Sequence, residues 1–416
     1  MPADQSQHVG VNRRDFLQTG AAAAAASTVL PATAATVQKP GEKGLPLRKL
    51  GKTGAEVTIL NFGSFSNPGV DRMIRLAYAQ GVRMFDTAKS YGSEPGFKRW
   101  FEAMPDVRKS IFLVTKDSPT EPNQMLEMVD DRLETLGVDH IDLFFVHALG
   151  DHSVKQGQDW PKNMEVARVV DKLKKSGKIK FFGFSSHHPQ RAEFIQAAAD
   201  GGFIDAIMLQ YTPWLEMDSD LNKALDACHK KEIGLISMKQ VAGQFGAGNN
   251  GASSDAPILR QVEEKVAVLK EKKLTPFQGL LHAIWTDERI TACCVSMRNT
   301  DQIRENADAA RRYEPLKTAD LHELRDAALA AGPTLCADCD GRCAHAAGTR
   351  ARLGDLTRYL TYHQHHGARA DARRLYAELT EAERDWKDAN LEAARNACPN
   401  RLDFAALLPR ADEHLG

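Results

Sequence analysis

From residue 57 onward the chain alternates between short apolar, β-rich runs and longer stretches whose apolar residues recur every three to four positions. The runs are VTILNFG (57–63), RMFDTA (83–88), IFLVTK (111–116), IDLFFVH (141–147), IKFFGFSS (179–186), DAIMLQY (205–211), IGLISMK (233–239) and ITACCVSM (290–297). Amphipathic segments separate them. In EPNQMLEMVDDRLETLG (121–137), for example, Leu126, Met128, Val129, Leu133 and Leu136 gather near one face. The eighth run leads into a helix starting near Asp301. Eight strand–helix alternations predict an α/β architecture, a (β/α)8 TIM barrel over residues 45–312. A doubly wound sheet would require a G-x-G-x-x-G turn after its first strand, and NFGSFSNPG does not supply one.

The two ends of the chain read differently. VNRRDFLQTGAAAAAASTVLPATAAT pairs Arg13 with Arg14 ahead of Phe16–Leu17, an alanine-rich apolar region and a small-residue ending near 32–35. This resembles a bacterial twin-arginine export signal, occupying residues 1–36. The resemblance implies a periplasmic destination and export in the folded state, around a cofactor. Residues 313–416 form a helical, Arg/His-rich extension, with helices expected at 321–332, around 353–364 and at 369–379.

Bulk properties narrow the function classes. Formal net charge is −1, which argues for no nucleic-acid partner. No apolar run reaches the length of a membrane span, so the mature chain is not expected to cross a bilayer.

In a barrel of this kind catalytic groups project from the C-terminal ends of the strands. The second strand ends at Asp86 with Tyr91 in the following loop, the third at Lys116 and the fourth at His147. A phenol titrates near pH ~10, and an adjacent ammonium is expected to lower that value. An aspartate would keep the lysine charged and aimed, and a histidine can hydrogen-bond a carbonyl oxygen. Such an assembly protonates a carbonyl oxygen while another group delivers hydride.

On LRKLGKTGAEVTILNFG, FDTAKSYG (85–92), VTK (114–116), DLFFVH (142–147), FFGFSS (181–186) and SMRNTDQIRENADA (296–309), residues 45–312 resemble the aldo-keto reductases. The resemblance implies a nicotinamide-dependent oxidoreductase acting on a small carbonyl or alcohol. Tyr91 would be the general acid/base, Lys116 and Asp86 would tune it, and His147 would orient substrate. Cofactor positions carry over as Ser185, Ser186, Gln210, Met238, Lys239, Arg298 and Asn306. Ser186 stands where the family commonly has Asn, and Met238 where it has an aromatic. Arg298 suits a 2′-phosphate, which favours NADP(H) over NAD(H).

Cys336, Cys339 and Cys343 lie within eight residues of one another, and Cys398 precedes Pro399. Three occupants compete: one [4Fe–4S] cluster, which would bring an electron-transfer partner, a zinc ion, or disulfides. The segment resembles the ferredoxin-like extension of some bacterial aldo-keto reductases, with too few cysteines for two clusters. Cys228, Cys293 and Cys294 are expected to be buried packing residues. A second function class stays open beside the enzyme: a redox-linked nucleotide-binding or sensor protein with little turnover. Trp160, Trp214 and Phe245 are candidate pocket walls.

Overall fold

Each of the eight runs contributes a strand to a closed ring of parallel pairs. The computed structural model describes residues 44–64, 69–188, 190–213, 219–240, 262–263, 266–330, 336, 341–365, 369–398 and 401–416. The export segment, Cys339, Trp214, Phe245 and the loop 241–256 lie outside the described residues. The strands are β3 (Leu60–Gly63), β4 (Met84–Asp86), β5 (Phe112–Asp117), β6 (Ile141–Val146), β7 (Ile179–Ser186), β8 (Ala206–Gln210), β9 (Gly234–Met238) and β10 (Ile290–Ser296). β10 returns to β3, and the barrel is closed.

The first apolar run does not make one strand. The run is interrupted at Ile59, whose N–H donates to the Pro46 carbonyl and whose carbonyl accepts from Cys293 N and Trp285 Nε1. The portion before the break, β2 (Glu56–Thr58), pairs antiparallel with β1 (Leu47–Lys49). This hairpin brings Leu50 and Val57 into the interior cluster with Met84, Val114, Leu143 and Phe145. Arg48 fastens it by donating to the carbonyls of Trp285 and Ile290.

Period-two alternation along each strand divides the apolar residues between two cores. Inward residues such as Leu143, Phe145, Met208 and Ile236 fill the barrel, while Phe144, Ile207 and Leu235 meet the surrounding helices. Trp160, a candidate pocket wall on sequence, is packed in that outer core instead. Gly183 sits where the staves approach closely: a Cβ there would lie 1.8 Å from the Ala206 carbonyl oxygen and 2.8 Å from the Phe145 ring.

The extension carries a core of its own. Leu353, Leu356 and Leu360 of the helix Leu353–His365 meet Phe404, Leu407 and Leu408 of the helix Phe404–Leu415, together with Cys343 and Cys398. The helix Thr318–Ala330, grouped with the extension on sequence, instead contributes Leu324 to the barrel core. Among the described residues no helix is long and apolar enough to cross a membrane.

The close approach at Gly183 has a measurable consequence. Gly183→Ala should destabilise the protein by about 3 kcal/mol, at the upper end of overpacking costs, read as a lowered urea midpoint. An unchanged midpoint would show that β7 and β8 can separate without loss.

Candidate active site

Asp86 and Lys116 reach the site because they lie at the upper ends of neighbouring strands. β4 and β5 pair with Asp86 opposite Val114, which sets Lys116 one inward step above it. Lys116 Nζ donates to Asp86 Oδ2 at 2.6 Å and to the Thr87 carbonyl at 2.8 Å, with both side chains almost fully buried. Burial opposes the lysine charge, but Asp86, and then Tyr91 and Cys294, more than restore it, so Lys116 stays cationic. Burial pushes Asp86 upward against the pull of Lys116.

Tyr91 ends a short 3-10 turn, Lys89–Tyr91, closed by Gly92 in the left-handed conformation at φ 62°. Gly suits that position because a side chain there is strained. A hydroxyl chain holds the loop: Ser93 Oγ lies 2.7 Å from Thr87 Oγ1 and 2.9 Å from Ser64 Oγ. Glu94, buried, accepts from Thr115 Oγ1 at 2.6 Å and from Arg132 at 2.9 Å. These bonds tie the tyrosine loop to β5 and to the helix Gln124–Leu136, which carries Arg132.

Lys116 Nζ lies 5.0 Å from the centroid of the Tyr91 ring. The largest single influence on the phenol is this ammonium, which pulls its pKa down as the sequence led one to expect. Burial, Asp86 and Cys294 together outweigh it, and the net shift is upward. Tyr91 therefore holds its proton at neutral pH and stands as an acid. Its hydroxyl lies 3.4 Å from His147 Nε2, the two rings perpendicular at 5.5 Å. His147 Nδ1 lies 3.4 Å from Ser90 Oγ. Burial, followed by Lys116 and Lys239, lowers His147 to about 3, so its imidazole is neutral. Directly after it, Ala148 adopts φ 51°, a strained conformation for a non-glycine residue.

Cys294 is the participant that sequence reasoning missed. Asp86 Oδ1 has no hydrogen-bond partner among the described residues, and the buried Cys294 thiol is one of the groups that influence this carboxylate. Cys293 faces the outer core while Cys294 faces the barrel interior. Strand parity was the available signal.

The residues expected to hold a cofactor separate into groups. Gln210 and Lys239 line one cavity at the ends of β8 and β9, and Met238 is half-buried beside them. Ser185 and Ser186 are turned toward the loop after β6: Ser185 Oγ accepts from Ala148 N, and Ser186 donates to the Leu149 carbonyl. Arg298 is exposed, its backbone N–H capped by Gln302, whereas Asn306 is buried within the helix Thr300–Arg311.

In the extension, Cys336, Cys343 and Cys398 are buried, and no disulfide joins these three. Cys343 is pushed up to about 11 by burial, with Cys398 as its next influence. Cys336 Sγ lies against Gly354, where a Cβ would stand 2.9 Å away. Among the described residues no group of three or more His, Cys, Asp or Glu is arranged to hold a metal ion.

The lowered His147 makes stability depend on pH. Between the folded value of about 3 and the unfolded value of 6.5, the unfolded chain binds the extra proton. Stability should be complete above pH 6.5 and fall as pH drops toward 3. The loss between pH 7 and 4.5, measured by urea unfolding, should be smaller in His147→Gln than in the wild type. Equal losses would show that His147 is not a buried neutral imidazole.

Comparison with known proteins bears on the family and the fold. Residues 10–30 match the twin-arginine translocation pathway signal sequence. L-Galactose dehydrogenase of Arabidopsis thaliana is 26% identical over 300 residues, 65% of this chain and 90% of that protein. L-Glyceraldehyde 3-phosphate reductase of Escherichia coli O157:H7 is 24% identical over 325 residues, 66% of this chain and 91% of that protein. The holo structure of an aldo-keto reductase from Bacillus halodurans superposes with a TM-score of 0.54 at 19% identity, covering 68% of this chain and 96% of that one, and so shares the fold. Residues 53–328 match the aldo/keto reductase family, and with more than half of its length inside that match the chain belongs to this family of NAD(P)-dependent oxidoreductases.

Proposed function

We propose that the protein interconverts a small carbonyl compound and its alcohol, with Tyr91 as the general acid in reduction and the general base in oxidation. The observation that carries this reading is the protonated Tyr91 hydroxyl, 3.4 Å from a neutral His147 and beside the buried Lys116–Asp86 pair. A nicotinamide, NADP(H) in preference to NAD(H) on the residue type at Arg298, supplies or accepts the hydride. Gln210, Met238 and Lys239 are the residues that would hold it, with Ser185, Ser186, Arg298 and Asn306 as further candidates.

In the reducing direction His147 and Tyr91 both point a hydrogen at the carbonyl oxygen. A Ser90 hydroxyl donating to Nδ1 leaves the hydrogen on Nε2, which suits that role. As negative charge grows on the oxygen, Tyr91 passes it the phenolic proton, giving the alcohol. Lys116 then faces a phenolate and stabilises it through the nearby ammonium. Asp86 keeps Lys116 charged, and the Cys294 thiol shares in holding Asp86. A protonated Tyr91 is the state that reduction requires at the start of a turnover.

The export signal supports a periplasmic site of action. For the extension we propose a single [4Fe–4S] cluster on Cys336, Cys339, Cys343 and Cys398, with zinc as the alternative. Cys343 and Cys398 are buried in one small core, and Cys336 and Cys343 line one cavity, which supports a shared occupant. An electron-transfer partner would follow from the cluster. No step above passes through it.

Tyr91→Phe should lower kcat by about 10²–10⁴-fold, the range of a lost general acid, with nucleotide binding retained. Full activity in this variant would overturn the assigned role. Retained binding with no turnover in the wild type toward any carbonyl would favour the sensor reading. Anaerobic purification should yield about four iron and four sulfide per chain, as such a cluster contains. Zinc, or no metal, would make the extension purely structural.

A further inference from the structure

A cavity of about 440 Å³ lies between the barrel mouth and the extension, a volume in the usual range for small-molecule sites. One wall comes from the barrel: His187, Gln210 and Lys239 at the ends of β7, β8 and β9, with Arg191 on the helix that follows β7. The other wall is the extension, chiefly the segment 350–359 around the start of the helix Leu353–His365.

The charge of this cavity is one-sided. Arg191, Lys239, Arg350, Arg352 and Arg358 line it against the carboxylates Asp355 and Glu378, an excess of three positive charges. His187 adds none, because burial lowers it to about 3. Cations of the two walls act on common neighbours. Asp151, in the loop after β6, is influenced by both Lys239 and Arg352. His188 is influenced by Arg352 and Arg191, and His187 by Lys239 and Arg191. Arg352 of the extension thus lines the same cavity as the barrel's Arg191 and Lys239.

Arg191 is buried and also donates to the carbonyls of Gln210 and His188, which holds it at the cavity wall. Arg352 lies 3.0 Å from Asp355 and 3.9 Å from Glu383, and Arg358 also pairs with Asp355. Arg350, exposed on the cavity rim, makes no ion pair among the described residues. Lys239 holds φ 54°, a strained conformation for a residue with a side chain, and strain of this kind gathers at ligand sites. Cys336 and Cys343 line the cavity as well.

We propose that the extension is the second wall of the nucleotide site, with Arg350 and Arg352 joining Arg191 and Lys239 around the diphosphate of the nicotinamide cofactor. The inference rests on the oxidoreductase reading above and extends it. A barrel alone offers the cofactor one face. Here the diphosphate is enclosed between two cationic walls, and the nucleotide leaves only when the extension yields. Guanidinium groups suit a diphosphate because they offer paired donors to its oxygens.

The test uses the full mature chain and NADPH, whose dissociation is followed by fluorescence after a chase with excess NADP⁺. Arg350→Ala is the cleaner variant, since Arg352 also holds Asp355. Arg350→Ala should speed NADPH release at least tenfold, with Arg350→Lys in between and Arg395→Ala, an exposed extension arginine away from the cavity, unchanged. Thermal melts would confirm that the variants fold. Equal release rates in all four proteins would overturn the inference and leave the oxidoreductase reading standing. An unchanged release rate with a raised KM for a phosphorylated aldehyde would assign the cations to substrate and also overturn it. Failure of the wild type itself to bind NADPH would bring down the functional reading.

Discussion

The buried ion pair between Lys116 and Asp86 is the constraint on which the site depends. Removing both charges from water is expensive, and their attraction offsets that cost only when the geometry is tight and the remaining hydrogens are used. Here the distance is 2.6 Å and the Thr87 carbonyl takes a second ammonium hydrogen. Two adjacent parallel strands fix both anchors, so the pair needs no loop to hold it. A barrel supplies this stiffness at its strand ends and leaves the loops to carry the variable parts.

Tyr91 shows what the pair does to a neighbour. An ammonium in water would favour the phenolate. Inside the barrel the same ammonium arrives with its counter-charge, in a setting that penalises any new anion, and the phenol keeps its proton. The tyrosine is ready to give a proton only when another negative charge is growing near it. Its loop is correspondingly rigid. Gly92, the Ser64–Ser93–Thr87 hydroxyls and Glu94 all fix the backbone within a few residues of the phenol. Reactive geometry of this kind is held from behind by groups that never touch a reactant.

Much of this could be read from the chain because barrel geometry ties function to position. Strand ends are recognisable, and Asp86, Lys116 and His147 each stand at one. Three things were not legible. The break at Ile59 depends on a carbonyl chosen by Trp285, 226 residues away. The upward shift of Tyr91 is a balance between burial and charge, and residue types carry only its charge half. Cys294 looked like its neighbour Cys293, yet one residue of parity sends the first to the barrel interior and the second to the helices. The extension helices Leu353–His365 and Arg369–Ala377 were readable from their period, but not Phe404–Leu415 or the face the extension turns to the barrel, since that is set by contacts between segments far apart in sequence.

Net charge illustrates the same limit from the other side. The whole chain sums to −1 and by composition favours no charged ligand. The cavity between barrel and extension nevertheless gathers three more cations than anions. Like charges brought together in a partly enclosed space repel, and the repulsion is stronger there than on an open surface because less water screens it. A fold carries such a concentration at a cost to its own stability unless an anion relieves it. The carboxylates Asp355, Glu378 and Glu383 lie among these cations. The imbalance at one end of a neutral protein is therefore a property of placement, and it marks the barrel mouth and the extension as two halves of one electrostatic surface.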